Sequence, residues 1–280
     1  MDRTKEKVRL EGISKDFFVR EDGKDHTVHA LDRVSFSVRE GEIVALTGVS
    51  GCGKTTTLRI IMGLESASAG SVEVDGRRVT KPGYDRGMVF QHAELLPWRT
   101  ALGNVEFGLE VKGVASKERR EKAIQYLNLV ELEDSRNRRP DQLSGGMKQR
   151  AGMARALAIE PEVLLMDEPF GALDAQTRES LQGELLKIHE KTRKTIIFVS
   201  HDLDEAVLLA DRVVVMASNP GRVHEIVDIN IPRPRLDPIA IRGSDEFTQK
   251  RYYIWKTLTA DTTNGAKTSG VDAAKTPTEA

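Results

Sequence analysis

The sequence predicts an α/β fold with a mostly parallel sheet, an N-terminal antiparallel β layer and an inserted helical subdomain. Continuous apolar runs at 163–166, 195–199 and 213–216 alternate with helical segments, which is typical of parallel strands buried on both faces. Residues 34–38 alternate apolar and polar side chains, as half-buried antiparallel strands do. From about residue 92 to 160 the pattern is helical instead.

The N-terminal elements are predicted as strands at 8–14 and 34–38, joined by a loop at 20–29 that contains a glycine and several charges. A helix at 55–62 follows the next apolar run. Residues 70–76 then alternate in polarity and end in an Asp-Gly turn, so a further edge strand is expected there.

The middle of the chain begins with a short apolar strand at 88–90, which ends at Gln91. An amphipathic helix at 117–129 and a second helix from Ser144 to Ala158 belong to the helical subdomain. Helices at 175–190 and 202–210 separate the later strands.

The C-terminal part is predicted as a strand at 223–229 and a last helix at 243–258, which Ser244 would cap. The main domain therefore spans residues 8–242, with the helical subdomain at about 92–160 inserted into it. Residues 259–280 are rich in Thr, Ala, Lys, Gly and Asp, and this composition predicts a disordered tail.

Composition describes a globular protein with a balanced surface. Hydrophobic residues make up 39% and charged residues 30% of the 280 positions, with Lys+Arg 42 against Asp+Glu 43 and a net charge of -1. This balance gives no electrostatic footprint for nucleic acid. The N-terminus is charged, no apolar stretch approaches the length of a membrane span, and Cys52 is the single cysteine. We therefore expect a cytoplasmic protein that meets a membrane only through a partner.

The strongest motif is the sequence GVSGCGKTT at 48–56, between an apolar run at 43–46 and the helix at 55–62. This pattern in a strand-to-helix setting predicts a phosphate cradle, the P-loop or Walker A motif, and hence a P-loop NTPase core. Lys54 would contact the β- and γ-phosphates, and Thr55 would offer its hydroxyl to Mg²⁺. The loop residues predicted to contact the nucleotide are Gly48, Ser50, Gly51, Cys52, Gly53, Lys54, Thr55 and Thr56.

Polar residues follow three other predicted strands, at the edge where open parallel sheets bind ligands. They are Gln91, the pair Asp167 and Glu168, and the pair Ser200 and His201. Each alone is compatible with a surface amide, a solvated charge or a capping histidine. Together they predict one site in which Asp167 supports Mg²⁺ and Glu168 takes a proton from the attacking water.

A second anion site is predicted where the sequence LSGGMKQR opens a helix, at Ser144, Gly145 and Gly146. An ordinary Ser-capped helix is the alternative for this stretch alone. We do not expect both helix ends of one subunit to serve the same nucleotide, so the second site points to another subunit that shares the nucleotide.

The order of the cradle, Gln91, LSGGMKQR, LLMDEP, Leu173-Asp174 and His201 resembles the nucleotide-binding subunit of an ABC transporter, over roughly residues 8–230. The resemblance implies ATP and Mg²⁺ as ligands and a head-to-tail dimer of two copies. It implies that Ser144 and Gly146 touch the γ-phosphate held by the other copy, and that Asp174 connects the two sites.

The resemblance also assigns roles near the γ-phosphate. Glu168 would be the general base, His201 would orient the attacking water, and Gln91 would ligate Mg²⁺ or the water. Family members stack adenine on an early aromatic residue, for which Phe17 is the best match, with Phe18 adjacent to it.

Finer stretches resemble importers of the nitrate, sulfonate and taurine type. They are Leu96-Pro97-Trp98, DEPFGALDAQTR from Asp167, HDLDEAVLLADRVVVM from His201, and Pro232-Arg233-Pro234-Arg235. The likeness implies membrane-spanning permease subunits that dock at 91–105, an indirect solute-binding protein, and a peripheral place on the cytoplasmic face of the membrane. For Leu95, Leu96 and Trp98, a docking patch and a core position are equally open.

Three other functions are weighed against this importer hypothesis. A non-transport ABC switch would carry coiled coils or tandem cassettes, which this sequence lacks. A soluble P-loop kinase would leave LSGGMKQR without a role. An exporter-type cassette is opposed only by the stretches that resemble importers.

Overall fold

Two β-sheets and two groups of helices build the fold in the computed structural model, which describes residues 5–21 and 23–268. The strands are β1 Glu6–Glu21, β2 Lys24–Arg39, β3 Ile43–Gly48, β4 Ala69–Val74, β5 Arg77–Arg78, β6 Arg86–Val89, β7 Val163–Asp167, β8 Thr195–Val199, β9 Arg212–Ala217 and β10 Arg222–Asp228. The helices are α1 Lys54–Met62, α2 Ala101–Val111, α3 Ser116–Leu129, α4 Gly145–Ala158, α5 Ala175–Thr192, α6 Leu203–Leu209, α7 Pro238–Arg242 and α8 Asp245–Thr268.

The larger sheet has the strand order β10-β9-β3-β8-β7-β6, and its pairs are parallel except β10 with β9. The smaller sheet has the order β2-β1-β4-β5 and is antiparallel throughout. The prediction of an α/β fold with a mostly parallel sheet and an antiparallel β layer is therefore confirmed.

The central strand β3 is buried along its whole length, and its side chains alternate between two cores. Ile43 and Ala45 pack into a core shared with the helical subdomain and helices α5, α6 and α8. Val44 and Leu46 pack into a second core shared with the antiparallel sheet and α1. Because successive side chains of a strand point to opposite faces, a continuous apolar run is what a strand covered on both sides requires.

The N-terminal hairpin corrects one prediction. Residues 20–29 are not a loop, since β1 and β2 stay paired up to Glu21 and Lys24, with Arg20 opposite Asp25. Backbone pairing between the strands continues although Arg20, Lys24 and Asp25 are exposed and charged. A hairpin needs apolar side chains only where it packs, so its solvated end leaves little trace in the sequence.

The helical subdomain lies between β6 and β7 and contains α2, α3 and α4, with two short 3-10 helices between α3 and α4. The predicted helices at 117–129 and up to Ala158 correspond to α3 and α4, whereas α2 had no prediction of its own. Thr100 caps α2 by accepting a hydrogen bond from the Gly103 backbone N–H at 3.1 Å.

At the C-terminus, Ser244 accepts a hydrogen bond from the backbone N–H of Phe247 at 3.2 Å, as a cap of α8 would. Phe247 and Ile254 are buried, and Leu258 packs beside them. The helix runs to Thr268, ten residues beyond the predicted end at 258. The rest of the predicted disordered tail, 269–280, lies outside the described residues. Within the described part of the chain, no helix is long and apolar enough to span a membrane.

Candidate functional site

The cradle begins where β3 ends at Gly48 and closes where α1 begins at Lys54. Gly51 and Gly53 have φ angles of +79° and +87°, which side chains with a Cβ rarely adopt. A Cβ on Gly48 would meet the carbonyl oxygen of Met216 at 2.5 Å. Since Gly53 offers no side chain to cap α1, the first N–H groups of this helix have no side-chain acceptor. They are suited to an anionic ligand.

Lys54 is buried and lies across the loop. Its Nζ donates hydrogen bonds to the carbonyl oxygens of Gly48 at 2.8 Å and Val49 at 3.0 Å. The sulfur of Cys52 lies 3.7 Å from the same ammonium. Burial raises the pKa of the Cys52 thiol, which is therefore held as a neutral packing group.

A contact across the sheet edge joins α1 to β7. The hydroxyl of Thr55 donates a hydrogen bond of 2.9 Å to Oδ1 of Asp167. Burial raises the pKa of Asp167, against the lowering effect of this hydrogen bond. The pair offers hard oxygen atoms of the kind that Mg²⁺ prefers. In the described part of the chain, no cluster of three His, Cys, Asp or Glu that could hold a metal ion is present.

Glu168, which follows β7, contacts residues that follow two neighbouring strands, β6 and β8. Its Oε2 accepts a hydrogen bond from Nε2 of Gln91 at 3.4 Å and lies 3.4 Å from Nδ1 of His201. Glu168 has a φ of +45°, and its backbone N–H donates to the carbonyl of Val199. A non-glycine residue in this region costs free energy and is found most often at functional sites.

A cleft of about 380 Å³ joins the cradle to this cluster. Its lining residues are Ala30, Ser50, Gly51, Gly53, Lys54, Thr55, Thr56, Glu168 and His201. Ala30 had no prediction from sequence, because it comes from strand β2 and carries no polar atom that would mark it. Gly48 and Cys52 support the loop from behind and do not line this cleft.

Phe17 is not among the lining residues of the cleft. It lies on β1 opposite Val28, and the ammonium of Lys15 is 4.8 Å from its ring centroid. The neighbouring Phe18 is almost fully exposed. The structure thus places Phe17 on the β1–β2 hairpin, with the Lys15 ammonium over its ring, and its predicted contact with adenine stays a prediction.

The helix that starts LSGGMKQR lies apart from the cradle. The Oγ of Ser144 accepts a hydrogen bond from the N–H of Met147 at 3.3 Å and caps α4. Ser144 and Gly146 line a separate cleft of about 500 Å³, and a Cβ on Gly146 would collide with Thr177. Among the described residues, Ser144 and Gly146 are not part of the lining of the cradle cleft.

Gln91 and Gly145 line a third cleft, of about 350 Å³, together with Leu95. Leu95 is partly buried against the core, whereas Trp98 is 68% exposed. Of the three residues for which a docking patch and a core position were both open, Trp98 lies on the surface, whereas Leu95 and Leu96 are half-buried.

Asp174 caps α5 by accepting a hydrogen bond from the backbone N–H of Thr177 at 3.0 Å. This bond lowers the pKa of Asp174, so its carboxylate stays ionised. In the sequence, residues 169–173 link Asp174 to Glu168.

Comparisons with known proteins agree on one family. The family model described as "ABC transporter" matches residues 31–171. The chain is 51% identical to an uncharacterised ABC transporter ATP-binding protein of Methanocaldococcus jannaschii, over 92% of this chain and 93% of that protein. It is 49% identical to a nitrate import ATP-binding protein of Synechocystis (82% and 83% covered). It is 46% identical to a taurine import ATP-binding protein of Rhizobium johnstonii (85% and 91% covered).

Among solved structures, an ATP-binding cassette dimer in a post-hydrolysis state, bound to ADP and Pi, superposes with a TM-score of 0.70. It is 34% identical and covers 80% of this chain and 100% of its own. CbiO1 of Clostridium perfringens, part of the ABC transporter complex CbiONQ, gives a TM-score of 0.72 at 25% identity, over 88% of this chain and 94% of its own.

Proposed function

The chain belongs to the ABC transporter family, and from that membership we propose that it is the ATP-binding and ATP-hydrolysing subunit of an importer. The observation that carries the proposal is the position of Glu168 at the mouth of the cradle cleft, 3.4 Å from both Gln91 and His201. A phosphate cradle, a carboxylate and a histidine in one cleft are the groups that hydrolysis of a bound triphosphate needs.

Within this cleft, the N-terminus of α1 and Lys54 bind the phosphates of ATP through backbone N–H groups and a cation. Thr55 and Asp167, already joined by their hydrogen bond, are the residues that would hold Mg²⁺. When bound, the cation supplies positive charge that offsets the charge of the phosphates. Gln91 reaches the same place through its contact with Glu168.

Glu168 takes the proton of the attacking water, and His201 orients that water from the opposite side. The positive φ of Glu168 turns its side chain away from the run of β7 and toward the cleft. Because these groups lie on the ends of three strands of one rigid sheet, little reorganisation is needed before reaction.

Two copies assemble head to tail, so that Ser144, Gly145 and Gly146 of one copy complete the cleft of the other. This arrangement is supported by the separation of the two clefts within a single chain, and the cassette superposed above is itself a dimer. Asp174, at the start of α5, links the two composite sites.

Permease subunits dock in the groove lined by Gln91 and Leu95, next to the exposed Trp98. The protein acts at the cytoplasmic face of the membrane, and a solute-binding protein delivers the solute to the permease. The relatives named for nitrate and taurine import favour a small oxyanion or sulfonate as the solute.

The enzymatic half of the proposal is tested with Glu168→Gln, which keeps the shape of the side chain but cannot accept the proton. We expect the ATPase rate to fall by about 10² to 10⁴-fold, while ATP binding persists and an ATP-bound dimer accumulates in gel filtration. Glu118→Gln, on the exposed face of α3, serves as the control and should leave both properties unchanged. Full ATPase activity in Glu168→Gln would refute the assignment of the base.

The transport half is tested by co-expressing the chain with the membrane subunits encoded beside it and reconstituting the complex in vesicles. We expect the solute and its binding protein to stimulate ATPase activity and uptake together. ATP-dependent efflux of solute would instead identify an exporter.

A further inference from the structure

A buried carboxylate that the proposed mechanism does not use lies directly behind the His201 loop. Glu205, in the first turn of α6, is only 4% exposed. Its Oε2 accepts a hydrogen bond of 2.6 Å from the hydroxyl of Ser200, and its Oε1 accepts one of 3.2 Å from Nε2 of Gln182. The carboxylate therefore links Ser200, the residue before His201, to Gln182 in the middle of α5.

The orientation of the Gln182 amide follows from its other partner. Nη2 of Arg242, in α7, donates a hydrogen bond of 2.8 Å to Oε1 of Gln182. Because a guanidinium can only donate, the amide oxygen must face Arg242 and the amide nitrogen must face Glu205. Nη1 of Arg242 also binds Glu179 at 2.7 Å, so the C-terminal segment closes the network from outside.

Arg178, one helical turn before Gln182, adds a positive charge to the network. Its Nε lies 3.9 Å from Oε1 of Glu205, and its Nη1 lies 3.7 Å from Asp202. Its Nη2 donates to the carbonyl of Leu173 at 3.1 Å. Arg178 therefore connects the loop that ends at Asp174 with the loop that carries His201.

The His201 loop is fixed on both sides of the histidine. The Oγ of Ser200, which donates to Glu205, also accepts a hydrogen bond from the N–H of Asp202 at 3.0 Å. Asp202 in turn caps α6 through the N–H of Asp204 at 2.8 Å. By contrast, the side chain of His201 is 65% exposed, and its Nδ1 lies 3.4 Å from Oε2 of Glu168.

We propose that Glu205 is a positioning residue for His201 during ATP hydrolysis. Gln182 and Arg178 fix the position of its carboxylate, which accepts the hydrogen bond from the hydroxyl of Ser200. Ser200 in turn fixes the backbone of the loop from which the imidazole of His201 reaches the γ-phosphate. A buried carboxylate is costly unless its hydrogen bonds are satisfied, so packing alone would favour an apolar side chain at this position. The proposal rests on the proposed function, because it assumes that His201 acts on bound ATP.

The first test compares steady-state ATPase kinetics of the purified full chain with those of Glu205→Ala, Glu205→Gln and Ser200→Ala. A displaced reacting group lowers the rate without weakening the binding of ATP at the cradle. For Glu205→Ala we expect kcat to fall between about tenfold and a hundredfold, with KM for ATP changed by less than about twofold. Glu205→Gln keeps the shape and part of the hydrogen bonding but lacks the charge facing Arg178, so it should lie between Glu205→Ala and the wild type.

Asp204→Asn is the matched control, since Asp204 precedes Glu205 in the same turn but keeps 44% of its side chain exposed and pairs with Arg251 at the surface. Its kcat should equal that of the wild type. If Glu205→Ala does not fold, Glu205→Gln and Ser200→Ala decide the question. Wild-type kcat in both of these variants would overturn the proposal.

A double-mutant cycle with His201→Ala separates positioning from general damage. If Glu205 acts through His201, Glu205→Ala lowers kcat no further once the imidazole is absent. If Glu205→Ala lowers kcat by the same factor in the His201→Ala variant as in the wild type, the proposal is overturned.

The same cycle distinguishes this proposal from the proposed function. A slow His201→Ala enzyme beside a normal Glu205→Ala enzyme rejects only the positioning role. Full activity in His201→Ala rejects the role of His201 and, with it, that of Glu205.

Discussion

The hydroxyl of Thr55 and the carboxylate of Asp167 form a hydrogen bond of 2.9 Å, although 112 positions of the sequence separate them. Thr55 stands in the first turn of α1, and Asp167 is the last residue of β7. The parallel sheet brings both elements to one edge, where their oxygen atoms can serve one cation.

Replacing Thr55 with valine keeps the branched shape but removes this oxygen. We expect ATPase activity to fall at least about tenfold at low Mg²⁺, because a hard cation then has one protein oxygen fewer. Titration of ATPase activity with Mg²⁺ measures the effect. Thr57→Val is the control, since its hydroxyl bonds to the carbonyl of Gly53 within the helix, and an identical Mg²⁺ requirement in both variants would contradict the prediction.

Mixing two inactive variants tests whether each cleft is shared between copies. Lys54→Ala disables a cradle and Ser144→Arg obstructs the start of α4, so each alone should lack ATPase activity. In a mixed dimer of the proposed symmetry, one composite site keeps an intact cradle and an intact helix start. An equal mixture should recover about a quarter of the wild-type rate if the two sites work independently. No recovery, with mixed dimers detected by co-purification of two differently tagged variants, would argue for a cleft completed within one chain.

The stability of the protein should decline in mild acid because of His189. Its Nε2 faces the carbonyl of Gly41 at 3.0 Å, and burial, reinforced by Arg233, lowers the pKa of His189 to about 4. An unfolded histidine titrates near 6.5, so between these values the unfolded chain binds more protons and unfolding becomes easier as pH falls. From pH 7 to pH 5 we expect this residue to cost about 2 kcal/mol of unfolding free energy.

Urea denaturation of the wild type and His189→Gln at the two pH values measures this contribution. The variant is less stable at pH 7 but should lose about 2 kcal/mol less than the wild type on acidification. Equal losses in both proteins would show that His189 is not the group responsible.

A second stability prediction concerns Arg235, whose side chain is completely buried. Its Nη1 donates to the carbonyls of Ala210 at 2.7 Å and Leu208 at 3.0 Å, and its Nη2 donates to Ile231 at 2.8 Å. Burial lowers the pKa of Arg235 to about 10, so the group stays charged at neutral pH. The guanidinium thus satisfies the end of α6 and the segment after β10 together.

Arg235→Lys keeps the charge but loses the planar fork, leaving buried carbonyl groups without donors. We expect the free energy of unfolding to fall by about 3 kcal/mol, measured by urea denaturation at pH 7. Arg120→Lys, at an exposed position of α3, should change it by less than about 0.5 kcal/mol. If Arg235→Lys also lowers the free energy of unfolding by less than about 0.5 kcal/mol, a single ammonium is enough to satisfy these buried carbonyl groups.

Several elements could be predicted because their information is local. The apolar run of β8 and the glycines before α1 identify a buried strand and a phosphate cradle from consecutive residues alone. The capping serine of α8 likewise lies beside the helix it starts. Membership of the ABC transporter family, predicted from the order of such motifs, is confirmed by the comparisons.

Other features had no local signal. The solvated end of the β1–β2 hairpin has exposed side chains, and its strands are held by backbone hydrogen bonds that any residue can make. Helix α2 lacks a clear alternation of polar and apolar faces, so the groove beside it was predicted without the helix. Ala30 lines the cleft through its position on β2, which its side chain does not reveal.

The cradle, the strand ends and the motif that starts α4 can be identified from the amino-acid sequence alone, since each depends on neighbours along the chain. Which of these groups meet depends on the tertiary fold. Glu168 reaches Gln91 and His201, and Arg178 reaches the His201 loop, because the packing of sheet and helices sets distances between residues far apart in sequence. The same packing keeps Ser144 out of the cradle cleft of its own chain, and this separation is the physical reason to expect a second copy.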